Sequence, residues 1–256
     1  MPESRSGLER GGGVDLRGRT ALVTGGAVRV GRAVSLGLAR AGAQVVIHYN
    51  ASKAEAESAV GEIEEAGGRA ATVGADLRST DAVAELADDA SRPFGPIDLL
   101  VNNASVFPAE RFDEVDPELW NETIAVNLRA PYFLTQALGG TMKRGGRGVI
   151  INIADLAGLQ AWNAYAAHSI SKAGLIQLTR VAARSLAPEV RVAAIAPGTV
   201  LPPDDMTPAE IQELADRAPL RRIGSPDDVL GAVFYIIGAD FVTGEVIVVD
   251  GGRMLR

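Results

Sequence analysis

The chain has 256 residues, 47% of them apolar, and a net charge of −7. That length suits one large α/β domain with a continuous core, and the negative charge argues against nucleic acid or an anionic membrane as main partner. Without cysteine there is neither a disulfide nor a thiolate metal site, which fits a reducing compartment. No apolar run reaches the ~20 residues that span a bilayer. MPESRSGLERGGGVD lacks the apolar centre of a signal peptide, so a cytoplasmic protein with a mobile tail over 1–16 is expected. From there, strand-like runs alternate with helical patterns. TALVTGG (20–26) leads into GRAVSLGLARAG, AQVVIHYN (43–50) into SKAEAESAVGEIEEAG, and AATVGADL (70–77) into TDAVAELADDA. IDLLVNNA (97–104) precedes PELWNETIAVNLRAPYFLTQALGG, and GVIINIA (148–154) precedes AYAAHSISKAGLIQLTRVAARSLAPE. VRVAAIAPG (190–198), SPDDVLGAVFYIIGA and GEVIVVDGG (244–252) complete the series. These runs barely alternate, as parallel strands covered on both faces do. The pattern predicts an α/β fold: one doubly wound parallel sheet of about seven strands over 17–256, with helices on both faces. Prolines and acidic residues interrupt the rhythm over 197–228. Segment 199–228 is expected to be a loop with one short helix at the carboxyl end of the sheet, where ligands bind. A substrate cover and a plain surface excursion both fit it.

TGGAVRVG (24–31) follows the first strand and opens the first helix. Glycine there lets the backbone approach a pyrophosphate, and the helix N-terminus adds free amides and partial positive charge. Gly25, Arg29, Val30 and Gly31 are therefore expected to line a dinucleotide. Such a turn alone is a weak signal. It gains weight from Asp76 and Leu77 after the third strand, Asn103 and Ala104 after the fourth, and Pro197 and Gly198 after the sixth. No metal is expected, for there is no HxxxH and no carboxylate cluster. His48 reads as cofactor-side packing or a surface residue.

TGGAVRVG, ADL, NNAS, Asn127, SISKAGL and PGTV, in this order, resemble the short-chain dehydrogenase/reductase family over residues 17–252. The resemblance implies a Rossmann-type sheet, a nicotinamide cofactor, a small-molecule substrate, and a homotetramer formed through the helices around 117–141 and 164–187. Where NAD-using members carry an acid at the end of strand two, this chain has Tyr49 and Asn50. Nothing there repels a 2′-phosphate, and Arg29, Ser52, Lys53 and a helix N-terminus favour NADP(H). Lys53 alone also reads as a solvated surface lysine. The arginine in the turn, NNASVF and NIAD further resemble the pteridine reductase branch. That branch implies that Phe107 stacks a flat heteroaromatic substrate and that Arg29 and Ser105 make polar contacts. It also puts Asp155 where most members carry a catalytic serine. Phe107 fits ordinary packing under a loop equally well.

By the same resemblance Lys172 binds the nicotinamide ribose and Asn127 holds a water relay, while the family's catalytic tyrosine is replaced by His168. Three readings follow. His168 is the acid: free imidazole titrates near pH 6.5 and moves protons readily, and Asp155, within ~3 Å, would outweigh Lys172 and favour the cation. Alternatively Tyr165, on the same helical face, takes over the role. In the third reading the site is inactive, and the protein is an NADPH-binding sensor or scaffold. The first predicts an NADPH-dependent reductase of a C=N or C=O bond in a small, flat, pteridine-like substrate. A 3-oxoacyl or sugar-type carbonyl reductase is the alternative among enzymes.

Overall fold

Buried parallel strands need apolar side chains on both faces, and each Val-, Ile- and Leu-rich run becomes such a strand. The computed structural model describes residues 14–202 and 206–255. Its strands are β1 (Thr20–Val23), β2 (Gln44–Tyr49), β3 (Arg69–Gly74), β4 (Leu99–Asn102), β5 (Gly148–Ile153), β6 (Val190–Pro197) and β7 (Val246–Val249). They form one sheet in the order β3-β2-β1-β4-β5-β6-β7, and each neighbouring pair is parallel. This is the Rossmann-type, doubly wound architecture. Helical crossovers connect the strands: α1 (Arg29–Arg40), α2 (Lys53–Glu65), α3 (Thr80–Asp89), α4 (Pro117–Ile124), α5 (Ala130–Arg144), α6 (Ala166–Leu186), α7 (Pro208–Asp216) and α8 (Pro226–Gly238).

Alternate strand residues feed two cores. Val23, Val45, Ile47 and Val101 pack with Val34 and Leu38 of α1, Ile63 of α2 and Val233 of α8. Leu22, Val46, Leu100 and Ile150 pack on the other face with Leu86 of α3, Leu134 of α5, and Leu175 and Leu178 of α6. The strand order reverses between β1 and β4, which opens a crevice at their carboxyl ends. Each apolar run outlasts its strand, so TGG, Asn50, ADL and the Asn103–Ala104 pair leave the sheet as loops at that end.

Two expectations change. The helix over 117–140 is interrupted by a π-helical segment, Ala125–Arg129, which separates α4 from α5. One residue of such a segment is pushed out of the regular ladder, a device frequent at functional sites, and Asn127 lies at its middle. Of the tail over 1–16, residues 1–13 lie outside the described residues, but Leu16 is not tail. It is 4% exposed and its amide donates to the Ala41 carbonyl. Segment 199–228 contains α7, which starts at a capping box of Thr207 and Glu210 with Pro208 in its first turn. Residues 203–205 of that segment are outside the described residues. Among the described residues, no helix is long and apolar enough to cross a membrane, and no His, Cys, Asp and Glu grouping suits a metal ion.

Candidate active site

The crevice is lined first by the turn after β1. Gly25 has φ 60°, a left-handed conformation natural to glycine. A Cβ on Gly31 would collide with the Gly25 carbonyl oxygen and lie 2.6 Å from Asn103 Nδ2. Thr24 Oγ1 accepts from the amides of Asn103 (2.9 Å) and Ala104 (3.0 Å). Asn103 Nδ2 donates to the carbonyls of Thr24 (2.9 Å) and Gly25 (3.1 Å), so its side chain holds the turn in shape. Thr24 has a role that the reading of the turn's glycines missed. Helix α1 opens here with no side-chain cap and no acid in its first turn. A turn in which Gly25, Gly26 and Gly31 carry no Cβ, leading into an uncapped helix N-terminus, fits a dinucleotide pyrophosphate. Val30 lies in the first turn of α1 and packs against the core.

The expected trio for a 2′-phosphate is not assembled. Arg29 has φ 52°, which costs a non-glycine residue about 1–2 kcal/mol. Its guanidinium donates to the Leu201 carbonyl at 2.7 Å, in the loop after β6 and away from the β2 side of the sheet. Lys53 faces Glu57 across 3.7 Å. What remains near the end of β2 is Ser52 at the N-cap of α2, exposed Asn50, and Tyr49, which lies against Gly74. Asp76 is held by Arg78 at 2.8 and 3.0 Å, which keeps its carboxyl below the usual range, and the Leu77 side chain is buried in the core. Pro197 ends β6. A Cβ on Gly198 would sit 2.9 Å from Asp250 Cα, so this glycine permits the close approach of the turn after β7.

At the other end of the crevice, Asp155 follows β5 and caps a single turn, Leu156–Gly158, accepting from the Ala157 amide at 2.7 Å. Gly158 brings that turn onto α6, for a Cβ there would meet the Lys172 carbonyl carbon at 2.8 Å. Asn127 Oδ1 accepts from the Val106 amide (2.9 Å) and from Ser105 Oγ (3.1 Å). Its Nδ2 donates to the Val106 carbonyl (2.9 Å) and Ser171 Oγ (3.1 Å). Both amide hydrogens are thereby used, and His168 Nδ1 lies 3.1 Å from the same Val106 carbonyl. A carbonyl only accepts, so Nδ1 carries a hydrogen and donates it. His168 is 2% exposed, and its Nε2 is buried without a hydrogen-bond partner. It faces Asp155 Oδ2 across 3.8 Å, beyond hydrogen-bond reach and wider than the ~3 Å expected. Lys172 Nζ donates to the Ile153 carbonyl at 2.9 Å, and burial pushes its amine down to about 8 against the opposing charge of Asp155.

The ring of Phe107 sits between Tyr165 and His168. It stacks on Tyr165 with centroids 4.4 Å apart and meets His168 edge-on, also at 4.4 Å. Phe107 therefore separates the rings of Tyr165 and His168. Phe107 is 51% exposed, so it is not ordinary buried packing, although one of its faces is occupied. Two rim residues went unread in the sequence. Arg253 lies 5.2 Å over the ring of Trp162 and donates to Thr199 Oγ1 at 3.0 Å, joining the loops after β5 and β6.

Residues 26–253 match the family model described as Enoyl-(Acyl carrier protein) reductase. The chain is 37% identical to the L-rhamnose 1-dehydrogenase (NAD(P)(+)) of Azotobacter vinelandii over 249 residues, covering 93% of this chain and 97% of that protein. It is 34% identical to the 3-oxoacyl-[acyl-carrier-protein] reductase FabG of Staphylococcus epidermidis over 244 residues, 93% of this chain and 99% of the other. Among solved structures, FolM Alternative dihydrofolate reductase 1 from Brucella suis in complex with NADP superposes with a TM-score of 0.88. That structure is 36% identical, with 93% of this chain and 96% of the other covered.

Proposed function

The chain belongs to the short-chain dehydrogenase/reductase family as an NAD(P)-dependent oxidoreductase, and on that premise we propose that it is an NADPH-dependent reductase with a histidine as its proton donor. The substrate class is a small, flat molecule with a reducible C=N or C=O bond, pteridine-like in shape. One observation carries this reading: His168 Nδ1 is fixed by the Val106 carbonyl, which leaves a buried, unpartnered Nε2 opposite Asp155.

When bound, the nicotinamide supplies the hydride, and the protein contributes orientation and the proton. His168 as imidazolium donates the Nε2 proton to the nitrogen or oxygen of the reduced bond. Asp155 lies 3.8 Å from the same Nε2 and favours that cation by its charge, without the hydrogen bond to the opposite nitrogen that a triad carboxylate makes. Lys172 presents its ammonium at the end of β5, where the ribose hydroxyls are proposed to lie. Asn127 and Ser105 shape the Val106 backbone that holds the histidine. Phe107 offers its free face to the substrate, and Arg29, beside Leu201, lies on the substrate side. The preference for NADP(H) is supported by the absence of a carboxylate at Tyr49 and Asn50, and by the structure of FolM in complex with NADP.

The test is loss of NADPH absorbance with a panel of dihydropterins and carbonyl compounds. His168→Phe is expected to lower kcat about 100-fold or more, the usual share of general acid catalysis. Undiminished turnover in that variant would remove the histidine from the mechanism. Tight NADPH binding with no turnover of any compound favours the inactive sensor. The curated relatives favour a second reading, a carbonyl reductase or dehydrogenase of 3-oxoacyl or sugar substrates. Turnover of those compounds and not of pterins would decide for it. The protein is proposed to be cytoplasmic and homotetrameric through α4, α5 and α6. Tyr132, Phe133, Ile170 and Val181 leave apolar surface exposed on the last two of these helices. Sedimentation at the mass of one 26.7 kDa chain would refute the tetramer.

A further inference from the structure

His48 is a titratable side chain that the proposed chemistry does not use. It lies near the end of β2, 1% exposed, between the turn after β1 and the segment after β3. Its Nδ1 is 3.1 Å from the amide of Gly25, and its Nε2 is 3.0 Å from the carbonyl of Ala75. An amide only donates and a carbonyl only accepts, so Nδ1 carries the lone pair and Nε2 the hydrogen. The backbone of the same residue holds the next position of the turn, since the Gly26 amide donates to the His48 carbonyl at 3.0 Å. Two successive amides of the glycine turn thus depend on one residue. From the opposite side, Asn103 holds the carbonyls of Thr24 and Gly25. Gly25 is in this way gripped at both its amide and its carbonyl, in a left-handed conformation that the grip over-determines. Doubly protonated, the ring would oppose an N–H to the Gly25 N–H. Burial keeps it neutral, with its pKa pushed down to about 4.

We propose that His48 is a positioning residue for dinucleotide binding: through Nδ1 it sets the orientation of the Gly25 peptide, and so the shape of the pyrophosphate cradle. The proposal rests on the reading of Thr24–Gly31 as the dinucleotide turn. Its Nε2 bond to Ala75 serves the fold, anchoring the segment after β3, and has no direct part in cofactor affinity.

Two amide substitutions separate these roles. In His48→Asn, Oδ1 takes the place of Nδ1 and still accepts from Gly25, while the bond to Ala75 is lost. In His48→Gln, Nε2 takes the place of the ring Nε2 and still donates to Ala75, while the bond to Gly25 is lost. Each variant of the full chain forfeits one buried hydrogen bond, and thermal unfolding should fall by a similar amount in both. NADPH and NADH titrations followed by fluorescence then provide the readout. His48→Asn should bind NADPH within about twofold of the unsubstituted protein, and His48→Gln about tenfold more weakly, the effect of one hydrogen bond. Equal affinities in the two variants, or a weaker Asn variant, overturn the proposal while leaving the cofactor reading intact. Failure of the unsubstituted protein to bind either dinucleotide overturns both.

Discussion

A left-handed arginine in the glycine-rich turn after β1 is the clearest conflict between local preference and backbone in this chain. Arg29 stands inside the turn after β1 with a backbone that a glycine would adopt freely, at φ 52°. The guanidinium donates to the Leu201 carbonyl, 2.7 Å away, in the loop after β6. Arg29→Gly removes the strain and that contact together. Stability should rise by about 1 kcal/mol in thermal or denaturant unfolding, less whatever the exposed hydrogen bond contributed. KM for the substrate should rise several-fold, while discrimination between NADPH and NADH persists. Collapse of that discrimination with KM for substrate unchanged would return Arg29 to the 2′-phosphate role read from the sequence.

At the level of elements, the proposed reaction centre depends on how closely the turn after β5 lies on α6. Gly158 governs that distance, since a Cβ would stand 2.8 Å from the Lys172 carbonyl carbon and 3.0 Å from the Ala173 amide nitrogen. Both are backbone atoms of a helix and do not yield. Gly158→Ala should therefore lift the turn that Asp155 caps and lengthen its 3.8 Å approach to His168. Overpacking of this kind costs about 1–3 kcal/mol of stability. The expected result is a lower melting temperature together with a kcat reduced more than KM is raised. Wild-type kcat in a destabilised Gly158→Ala protein would mean that the Asp155–His168 separation does not matter to the chemistry. The π segment around Asn127 acts on the same geometry from the other side. It directs one amide at the Val106 backbone, which in turn holds the histidine.

Across the whole molecule, the sheet and its crevice were legible because buried parallel strands must be apolar on both faces and must end in loops where the polar motifs stand. TGG, ADL, NNA and PG all fall at those ends. The contacts that make a site of them were less legible. The grip of Val106 on His168 uses a backbone carbonyl, which leaves no mark in the residue letters. His48 was read as cofactor-side packing or a surface residue; it is buried, and its two ring bonds arise only because Gly25 and Ala75 meet across β2. That burial has a consequence for the stability of the whole chain. His48 has its pKa lowered from 6.5 to about 4 in the folded state, so between those values the unfolded chain binds more protons. Its contribution to stability is fully present above pH 6.5, declines as the pH falls, and is gone below about 4. The shift comes from burial, opposed by the Ala75 carbonyl, and the adjoining Asp76 and Arg78 are paired with each other. Lys172, lowered from 10.5 to about 8, works with the same sign at the alkaline end, where stability rises as its buried charge is relieved. Between pH 7 and pH 5 the histidine alone should cost the native protein on the order of 2 kcal/mol. Urea unfolding at those two pH values should show His48→Asn, which cannot titrate, losing about that much less than the unsubstituted chain. An identical loss in both proteins would mean that His48 is not held neutral by the fold.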